Sequence, residues 1–183
     1  MPKATMYLDL QVSREAGCRK RPPSEIAMSK QPLATRAKSD RPLLGWREWL
    51  ALPELGLAAV RAKVDTGARS SALHVEQADV FSQDGIEMVR FTLDTGREQA
   101  PPQTVTAPVH DRRRVIDSGG HATERIFIRT CVRLAGRDWP IEINLTDRKN
   151  LLFPMLLGRS AIRGRFWVNP ARSFLLGTPE STP

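Results

Sequence analysis

The sequence predicts an all-β domain, a small barrel or a sandwich, and three observations support this fold class. Short apolar segments of strand length follow one another at nearly even spacing between residues 44 and 176, and several alternate apolar with polar residues. Turn-forming sequences such as Pro53–Gly56 and Ala135–Asp138 separate them. Only Ser160–Gly164 reads as a helical turn. Many short strands with little helix are typical of small β-domains.

The predicted elements follow in chain order. Gly45–Leu52 and Ala58–Val64 are expected to form a hairpin around Pro53–Gly56. Four further strands are predicted at Glu87–Leu93, Gln103–Val109, Thr123–Leu134 and Trp139–Leu145. The last part contains an apolar run around Pro154, the helical turn, and two segments expected to close the sheet, Phe166–Val168 and Ser173–Leu176.

The composition is that of one domain with a basic tail. The chain has 183 residues and a formal net charge of +8, which is long enough for one hydrophobic core. Residues 1–43 contain nine Lys/Arg against four Asp/Glu, several prolines and no sustained hydrophobic period. We therefore expect a disordered basic tail at 1–42, the domain at 43–178 and a short C-terminal tail at 179–183.

Location and partners are constrained by the same composition. No stretch approaches the ~18 consecutive apolar residues of a membrane helix, and no signal-peptide pattern is present, so a cytoplasmic protein with no membrane partner is expected. Cys18 and Cys131 fall in the tail and in a predicted strand, which predicts no disulfide. Because the excess of basic charge lies in the tail, specific nucleic-acid binding is not expected.

Four tryptophans lie in strand-like segments. Packing in the hydrophobic core and stacking on nucleic-acid bases are the two alternative roles for these side chains. Trp139 and Trp167 are predicted to lie in the core. The choice is more open for Trp46 and Trp49.

The clearest chemical motif is Asp65-Thr66-Gly67 at the end of an apolar strand. Hydrogen bonds to an ionised carboxylate lower its pKa, and a second carboxylate nearby raises the pKa of one of the pair. Two aspartates can then share one proton and activate a water for attack on a peptide carbonyl. The alternative is an ordinary Asx-turn. A second copy, Asp94–Gly96, precedes charged residues and prolines and is predicted to be a solvated turn.

Three separated motifs carry a resemblance to a known family: Trp46–Trp49, Val64–Arg69 followed by Ser71–His74, and Phe153–Arg159. Together they resemble the bacterial family known as ATP-dependent zinc proteases. That family is related to retropepsin-like aspartic peptidases and is often found beside ATP-grasp glutamate ligases of the ribosomal-modification type. The resemblance covers residues 44–177 and implies a small closed β-barrel of the retropepsin type with peptidase activity.

The resemblance also implies roles for single residues. It implies a homodimeric aspartic endopeptidase in which each subunit contributes Asp65, Thr66 bonds across the two-fold axis, and Gly67 lets the two loops approach. A segment crossing behind the turn supports its geometry, and the matching residues are Leu156, Leu157, Gly158 and Arg159, while Ala68 supports the site from within the turn. From the residues alone, Gly158 suits close backbone passage and Arg159 suits a buried ion pair, the alternative being a surface arginine.

The segment His110–His121 lies where a retropepsin carries its mobile flap. Ser118-Gly119-Gly120 is suited to turn such a hairpin. If it is a flap, its three arginines are expected to contact an acidic substrate, and the glutamate-ligase neighbourhood favours glutamate-rich peptides. These residues are Arg112, Arg113 and Arg114. The alternative is an exposed basic loop.

No metal and no cofactor are expected. The sequence contains no His-Glu-x-x-His and no phosphate-binding loop, and His74, His110 and His121 show no helical pairing. Two other functions stay open: a metal-dependent hydrolase using these histidines, and a non-catalytic module that binds an acidic protein or nucleic acid through Arg112–Arg114 and the tail.

Overall fold

The structure is a computed structural model that describes residues 41–116, 120, 122–146 and 152–177. These residues form twelve strands, one 3-10 turn at Pro53–Leu55 and one short helix, α1, at Arg159–Ile162. The strands are β1 Leu43–Gly45, β2 Arg47–Leu52, β3 Leu57–Asp65, β4 Ser71–His74, β5 Glu76–Gln83, β6 Ile86–Leu93, β7 Gln103–Pro108, β8 Asp111–Ile116, β9 Ala122–Leu134, β10 Arg137–Thr146, β11 Met155–Gly158 and β12 Trp167–Asn169. The all-β prediction is confirmed.

Six strands close into a barrel in the order β10-β4-β11-β3-β2-β9, because β9 also pairs with β10. β11 lies between β3 and β4, parallel to the first and antiparallel to the second. β8 pairs with the outer half of β9 and extends it as a hairpin. Closure removes the free edges that an open sheet of these strands would expose.

The barrel interior is filled by aliphatic side chains from alternate positions of its strands. Along β2 the odd positions are half-buried and the even positions buried, as strand alternation requires. Burial of each large aliphatic side chain contributes about 1.5–3 kcal/mol. Fully buried examples are Leu52, Val60, Leu73, Ile128, Ile143, Met155 and Leu157.

A separate antiparallel sheet, β5-β6-β7, packs on the same core through its middle and last strands. Val89, Phe91 and Leu93 of β6 and Val105 of β7 are buried there. β5 is exposed at nearly every position. β1 and β12 form a two-stranded parallel sheet near the chain ends of the domain.

The predicted hairpin is confirmed, and its turn follows from the sequence. Pro53 begins the 3-10 turn, and Gly56 ends it with a φ of 70°, donating its N–H to the carbonyl of Pro53. The strand predictions for Glu87–Leu93, Gln103–Val109, Thr123–Leu134 and Trp139–Leu145 are also confirmed, to within a few residues at their ends. The helical turn begins at Arg159, one residue earlier than predicted.

Two predictions about the last part of the domain are wrong. Ser173–Leu176 is not a strand: the amide of Phe174 donates to the carbonyl of Arg47 in β2, but the amides of Leu175 and Leu176 both bond to the side chain of Glu48, so no strand pairing continues. Trp167 is 50% exposed on the edge strand β12, with the guanidinium of Arg41 5.5 Å from its ring centre, and so is not a core residue. Trp139 is buried, as predicted. Trp46 and Trp49 are half-buried.

Several expectations concern residues outside the described ranges. These include the predicted tails, apart from Arg41 and Pro42, and Cys18. Cys131 is half-buried in β9. Across the described part of the chain, no helix has the length and apolar content needed to span a membrane.

Candidate active site

Asp65 is the last residue of β3, and the turn that follows it leads into β4. Because β11 is inserted between these two strands, the turn lies at the ends of three neighbouring strands. Gly158, the last residue of β11, is the register partner of Asp65. The sequence motifs around Asp65 and Gly158, 93 positions apart, are therefore brought side by side.

The carboxylate of Asp65 is oriented by its own turn. Its Oδ1 accepts hydrogen bonds from the backbone N–H groups of Gly67 and Ala68, both at 2.9 Å. Within the described residues, no hydrogen bond reaches Oδ2 and no second carboxylate bonds to Asp65. The local geometry is that of an Asx-turn, and Asp94 makes a similar bond to the N–H of Gly96 at 2.7 Å. The turn alone does not separate the two copies.

Their surroundings differ. The amide of Arg159 donates to the carbonyl of Ala68 at 2.8 Å, and that of Ser160 donates to Arg69 at 3.0 Å, so the start of α1 is bonded to the Asp65 loop. Asp94–Gly96 instead lies against the middle of β3, where the N–H of Arg61 donates to the carbonyl of Thr95. Arg61 precedes Asp65 by four residues, roughly 13 Å along an extended strand.

Gly158 passes so close to β4 that no side chain fits. A Cβ added to it would lie 2.4 Å from the carbonyl carbon and oxygen of Ser70. Its N–H donates to the hydroxyl of Ser71 at 3.1 Å. The close backbone passage expected from the sequence is present, and it fixes the separation of β11 and β4.

Arg159 contacts the Asp65 turn in a different way from the one expected. It is exposed, and its Nη1 donates to the carbonyls of Thr66 at 3.1 Å and Gly67 at 3.3 Å. The expected buried ion pair is wrong because β11 leaves the barrel at Gly158, which places the guanidinium at the surface. There it holds two carbonyls of the turn. Thr66 and Gly67 are themselves exposed.

Two cationic residues lie beside the turn, and neither was predicted from the sequence to be functional. Ala62 and Val64 of β3 are buried, so Lys63 and Asp65 share the opposite face, about 7 Å apart along the strand. Arg69 is exposed on the loop after Ala68, and its guanidinium has no ion pair or hydrogen bond among the described residues. The position of Arg69 inside the Asp65 motif was the sequence feature that could have indicated a role for it.

The three arginines predicted to contact substrate lie in a strand, not a loop. Arg112 pairs with Glu87 at 2.8 Å, and Arg113 pairs with Glu142 at 2.9 Å and with Asp111. The hydrogen bond from Arg113 lowers the pKa of Asp111 below its usual value. Two of the three positive charges are therefore balanced within the chain, while Arg114 is exposed.

The loop prediction for His110–His121 is wrong over Asp111–Ile116, because these residues pair with β9. The hairpin prediction for the same segment is consistent with the structure. Gly120 has a φ of 81°, and a Cβ added to it would meet no atom of the described residues within 4 Å, while Ser118 and Gly119 lie outside the described residues.

The described histidines contact different groups. His74 Nδ1 is 2.6 Å from the carbonyl oxygen of Phe153, and His110 Nε2 is 3.5 Å from Glu142. His121 lies outside the described ranges. In the part of the chain that the structure describes, no three His, Cys, Asp or Glu side chains are grouped as metal ligands.

A buried carboxylate supports the ends of the domain and was not predicted. Glu48 is fully buried in β2 and accepts hydrogen bonds from the N–H groups of Gly45 at 2.6 Å, Leu175 at 2.9 Å and Leu176 at 3.3 Å. The sequence feature that could have indicated its burial was its position two residues from Leu50, on the same inward face of β2.

Residues 43–179 match the RimB-like family, described as "Retropepsin-like aspartic endopeptidase RimB". The chain belongs to this family. Its match confirms the family resemblance that the sequence motifs carried, and it agrees with the closed barrel. This RimB-like chain is also similar to a protein of unknown function from Legionella pneumophila, Lpg0085. The two share 28% identity and a TM-score of 0.60, over 73% of this chain and 97% of that chain.

Curated relatives of the RimB-like chain carry a different name. Proteins named "Probable alpha-L-glutamate ligase" from Desulfotalea psychrophila, Shewanella pealeana and Parasynechococcus marenigrum are 37%, 35% and 36% identical over 136 residues. The match covers 74% of this chain and 29–30% of each relative. The chain therefore spans about three-tenths of the length of these relatives.

Proposed function

We propose that this chain is an aspartic-type peptidase that hydrolyses peptide bonds through a pair of Asp65 side chains in a homodimer. The observation that carries the proposal is the Asp65 turn itself. Its carboxylate is held by two backbone amides, and its backbone is held by Arg159. A carboxylate fixed in this way at the surface, in a family described as aspartic endopeptidases, is suited to activate water.

The second carboxylate comes from a second copy of the chain. This chemistry needs two carboxyl groups at close range, and the only hydrogen bonds to Asp65 among the described residues come from amides. Asp94 is an unsuitable partner because its turn lies against the middle of β3. The exposed Thr66 and Gly67 leave the turn accessible to the same turn of another subunit across a two-fold axis.

The reaction follows from this pairing. The ionised Asp65 accepts a proton from a water molecule, whose oxygen attacks the peptide carbonyl carbon, while the protonated Asp65 of the other subunit donates its proton to the carbonyl oxygen. The tetrahedral diol then returns one hydroxyl proton to that subunit's carboxylate. The amine nitrogen takes the proton from the first carboxyl, and the C–N bond breaks. Both carboxyl groups return to their starting states.

The proposed substrates are glutamate-rich peptides. Lys63 and Arg69 present two cations beside Asp65, and the guanidinium of Arg69 is available to bind a carboxylate. The relatives named as alpha-L-glutamate ligases support a substrate containing glutamyl amide bonds. Because Arg112 and Arg113 are paired with acids of the chain itself, we assign recognition to Lys63 and Arg69 first.

The test compares Asp65→Asn with Asp94→Asn, which changes the same residue type in the second Asp-Thr-Gly copy. Both variants and the wild type are incubated with an oligoglutamate peptide and with an oligoglutamine peptide of equal length, with and without a chelator, and products are read by mass spectrometry. We expect cleavage of the glutamate peptide by the wild type and by Asp94→Asn, but not by Asp65→Asn, regardless of chelator.

Two outcomes contradict the proposal. Cleavage that survives Asp65→Asn or disappears with chelator removes the aspartic mechanism and favours a metal-dependent hydrolase. Equal binding of the glutamate peptide by the wild type and Asp65→Asn, with cleavage by neither, identifies a non-catalytic binding module.

A further inference from the structure

A buried chain of hydrogen bonds joins the β8–β9 hairpin to the strands that carry the Asp65 turn. Its centre is Asn144 of β10, whose Nδ2 donates to the carbonyl of Ser71 at 2.6 Å and whose Oδ1 accepts from Nη1 of Arg125 at 3.1 Å. The hydroxyl of Ser71 accepts from the N–H of Gly158 at 3.1 Å. Asn144 is 3% exposed and Ser71 0% exposed.

The orientation of the Asn144 amide is fixed by its two partners. A carbonyl oxygen can only accept and a guanidinium can only donate, so the amide nitrogen must face Ser71 and the oxygen must face Arg125. Both ends of the side chain are therefore engaged at once. Loss of either partner leaves a buried polar atom without its hydrogen bond, which is costly in a low-dielectric interior.

Arg125 belongs to the part of the hairpin that extends past the barrel. In β9, Phe127 is the last residue paired with β10, and its partner is Asn144. Arg125 lies two residues further out, opposite Arg113 of β8. A side-chain bond to Asn144 thus ties the projecting hairpin to the closed part of the barrel.

The other end of the chain of hydrogen bonds reaches the catalytic candidate. Ser71 begins β4, and Gly158 is both its hydrogen-bond donor and the register partner of Asp65. The backbones of Gly158 and Ser70 are in contact with no space between them. Because close-packed backbones move together, a displacement of the start of β4 displaces the end of β11 beside Asp65.

We propose that Asn144 is a positioning residue that couples the β8–β9 hairpin to the Asp65 turn. Its two hydrogen bonds hold the start of β4, and through it the end of β11, in the position that orients the Asp65 turn. The coupling to catalysis rests on the proposed peptidase function. The mechanical coupling between the hairpin and the turn does not rest on that function, because it is a property of the protein without substrate.

The experiment measures amide hydrogen exchange of Gly158 and Arg159 by NMR, without substrate, in Arg125→Met, Asn144→Ala and the double variant. Arg129→Met is the matched control, since Arg129 is an exposed arginine of the same strand whose register partner in β10 is Glu142 and which has no hydrogen bond to Asn144 among the described residues. Steady-state cleavage of the oligoglutamate peptide gives kcat and KM for the same proteins.

We expect each single variant to accelerate exchange at Gly158 and Arg159 about tenfold, the factor for loss of one buried hydrogen bond. The double variant should exchange no faster than Asn144→Ala alone, because both substitutions interrupt the same chain of bonds. In cleavage, kcat should fall in each variant while KM for the peptide changes little. Arg129→Met should match the wild type in both measurements.

Unchanged exchange in Arg125→Met overturns the coupling, because Asn144 would then support β4 without any link to the hairpin. Since Arg125 is half-buried, this variant stays informative even if Asn144→Ala does not fold. If no protein cleaves any peptide, the peptidase proposal fails, while the exchange rates still decide the coupling. Accelerated exchange with an unchanged kcat overturns the positioning role.

Discussion

Gly158→Ala is expected to be a strongly destabilising single-methyl change in the domain core. The added Cβ would lie 2.4 Å from the carbonyl carbon and oxygen of Ser70 and 2.8 Å from the amide nitrogen of Ser71. Ordinary carbon contacts are about 3.5–4.0 Å, so the overlap exceeds about 1 Å. All the contacted atoms are backbone, so no side chain can rotate away. β11 and β4 must separate.

The expected cost is about 3 kcal/mol of unfolding free energy, at the upper end of overpacking substitutions. For a domain of this size that corresponds to a Tm lower by roughly 10 °C. The assay is thermal and urea denaturation followed by circular dichroism, with cleavage of the oligoglutamate peptide measured at a temperature where the variant is folded. Activity should also be lost, because Gly158 is the register partner of Asp65.

Gly67→Ala is the matched control within the same site. Its Cβ would approach only Oδ1 of Asp65, at 3.3 Å, and Gly67 does not have a positive φ. We expect a stability change of less than about 1 kcal/mol, because one carboxylate oxygen can shift by a few tenths of an ångström. A Gly158→Ala protein as stable as Gly67→Ala would refute the argument that β11 and β4 are in backbone contact.

Three further predictions test other parts of the account. Glu48→Gln should lower the free energy of unfolding by about 2–3 kcal/mol in urea, because an amide nitrogen replaces one of the two carboxylate oxygens that accept from the N–H groups of Gly45, Leu175 and Leu176. The hydrogen bond from Arg133 lowers the pKa of Asp138, so this pair stabilises the fold above the usual Asp pKa, and the stabilisation is lost as pH falls through the lowered value. Asp138→Asn should therefore flatten the loss of stability below about pH 4. Arg69→Gln should raise KM for the oligoglutamate peptide about tenfold, whereas Arg112→Gln should leave it unchanged.

Each of these predictions has a contradicting result. Wild-type stability of Glu48→Gln would show that the three amides do not depend on the carboxylate. If the stability of Asp138→Asn falls as steeply below about pH 4 as that of the wild type, the pair is screened by solvent at the surface. Equal KM changes in Arg69→Gln and Arg112→Gln would remove the assignment of substrate recognition to the Asp65 loop.

Much of the barrel was predictable because its strands have one face inward. The alternation in Thr123–Leu134 and the turn at Pro53–Gly56 are direct consequences of burial and of backbone conformation. β5 and β8 were not predicted, since their exposed or charged residues give no period of two and their strand conformation comes from pairing with neighbours. Trp167 was misplaced because an apolar sequence segment does not show that its strand lies at an edge.

The site was predictable where a local motif carried it. Asp65 and Gly158 stood out because a turn and a close backbone approach restrict residue type locally. The bonds that join Asn144 to Ser71 and Glu48 to Leu175 were not predictable, since these residues are 73 and 127 positions apart in the sequence and a buried polar residue does not identify its partner. The pairing of Arg113 with Glu142 depends on strand register in the same way.

The central claim is that two Asp65 carboxylates from two copies share one site, and subunit mixing tests it most directly. Wild type and Asp65→Asn are mixed in equal amounts under conditions where subunits exchange, and cleavage of the oligoglutamate peptide is measured at fixed total protein. If both carboxylates are needed, only dimers with two wild-type subunits are active, and activity falls to about one quarter of the wild-type value. Activity of about one half would mean that each chain acts alone, and it would contradict the paired-aspartate mechanism.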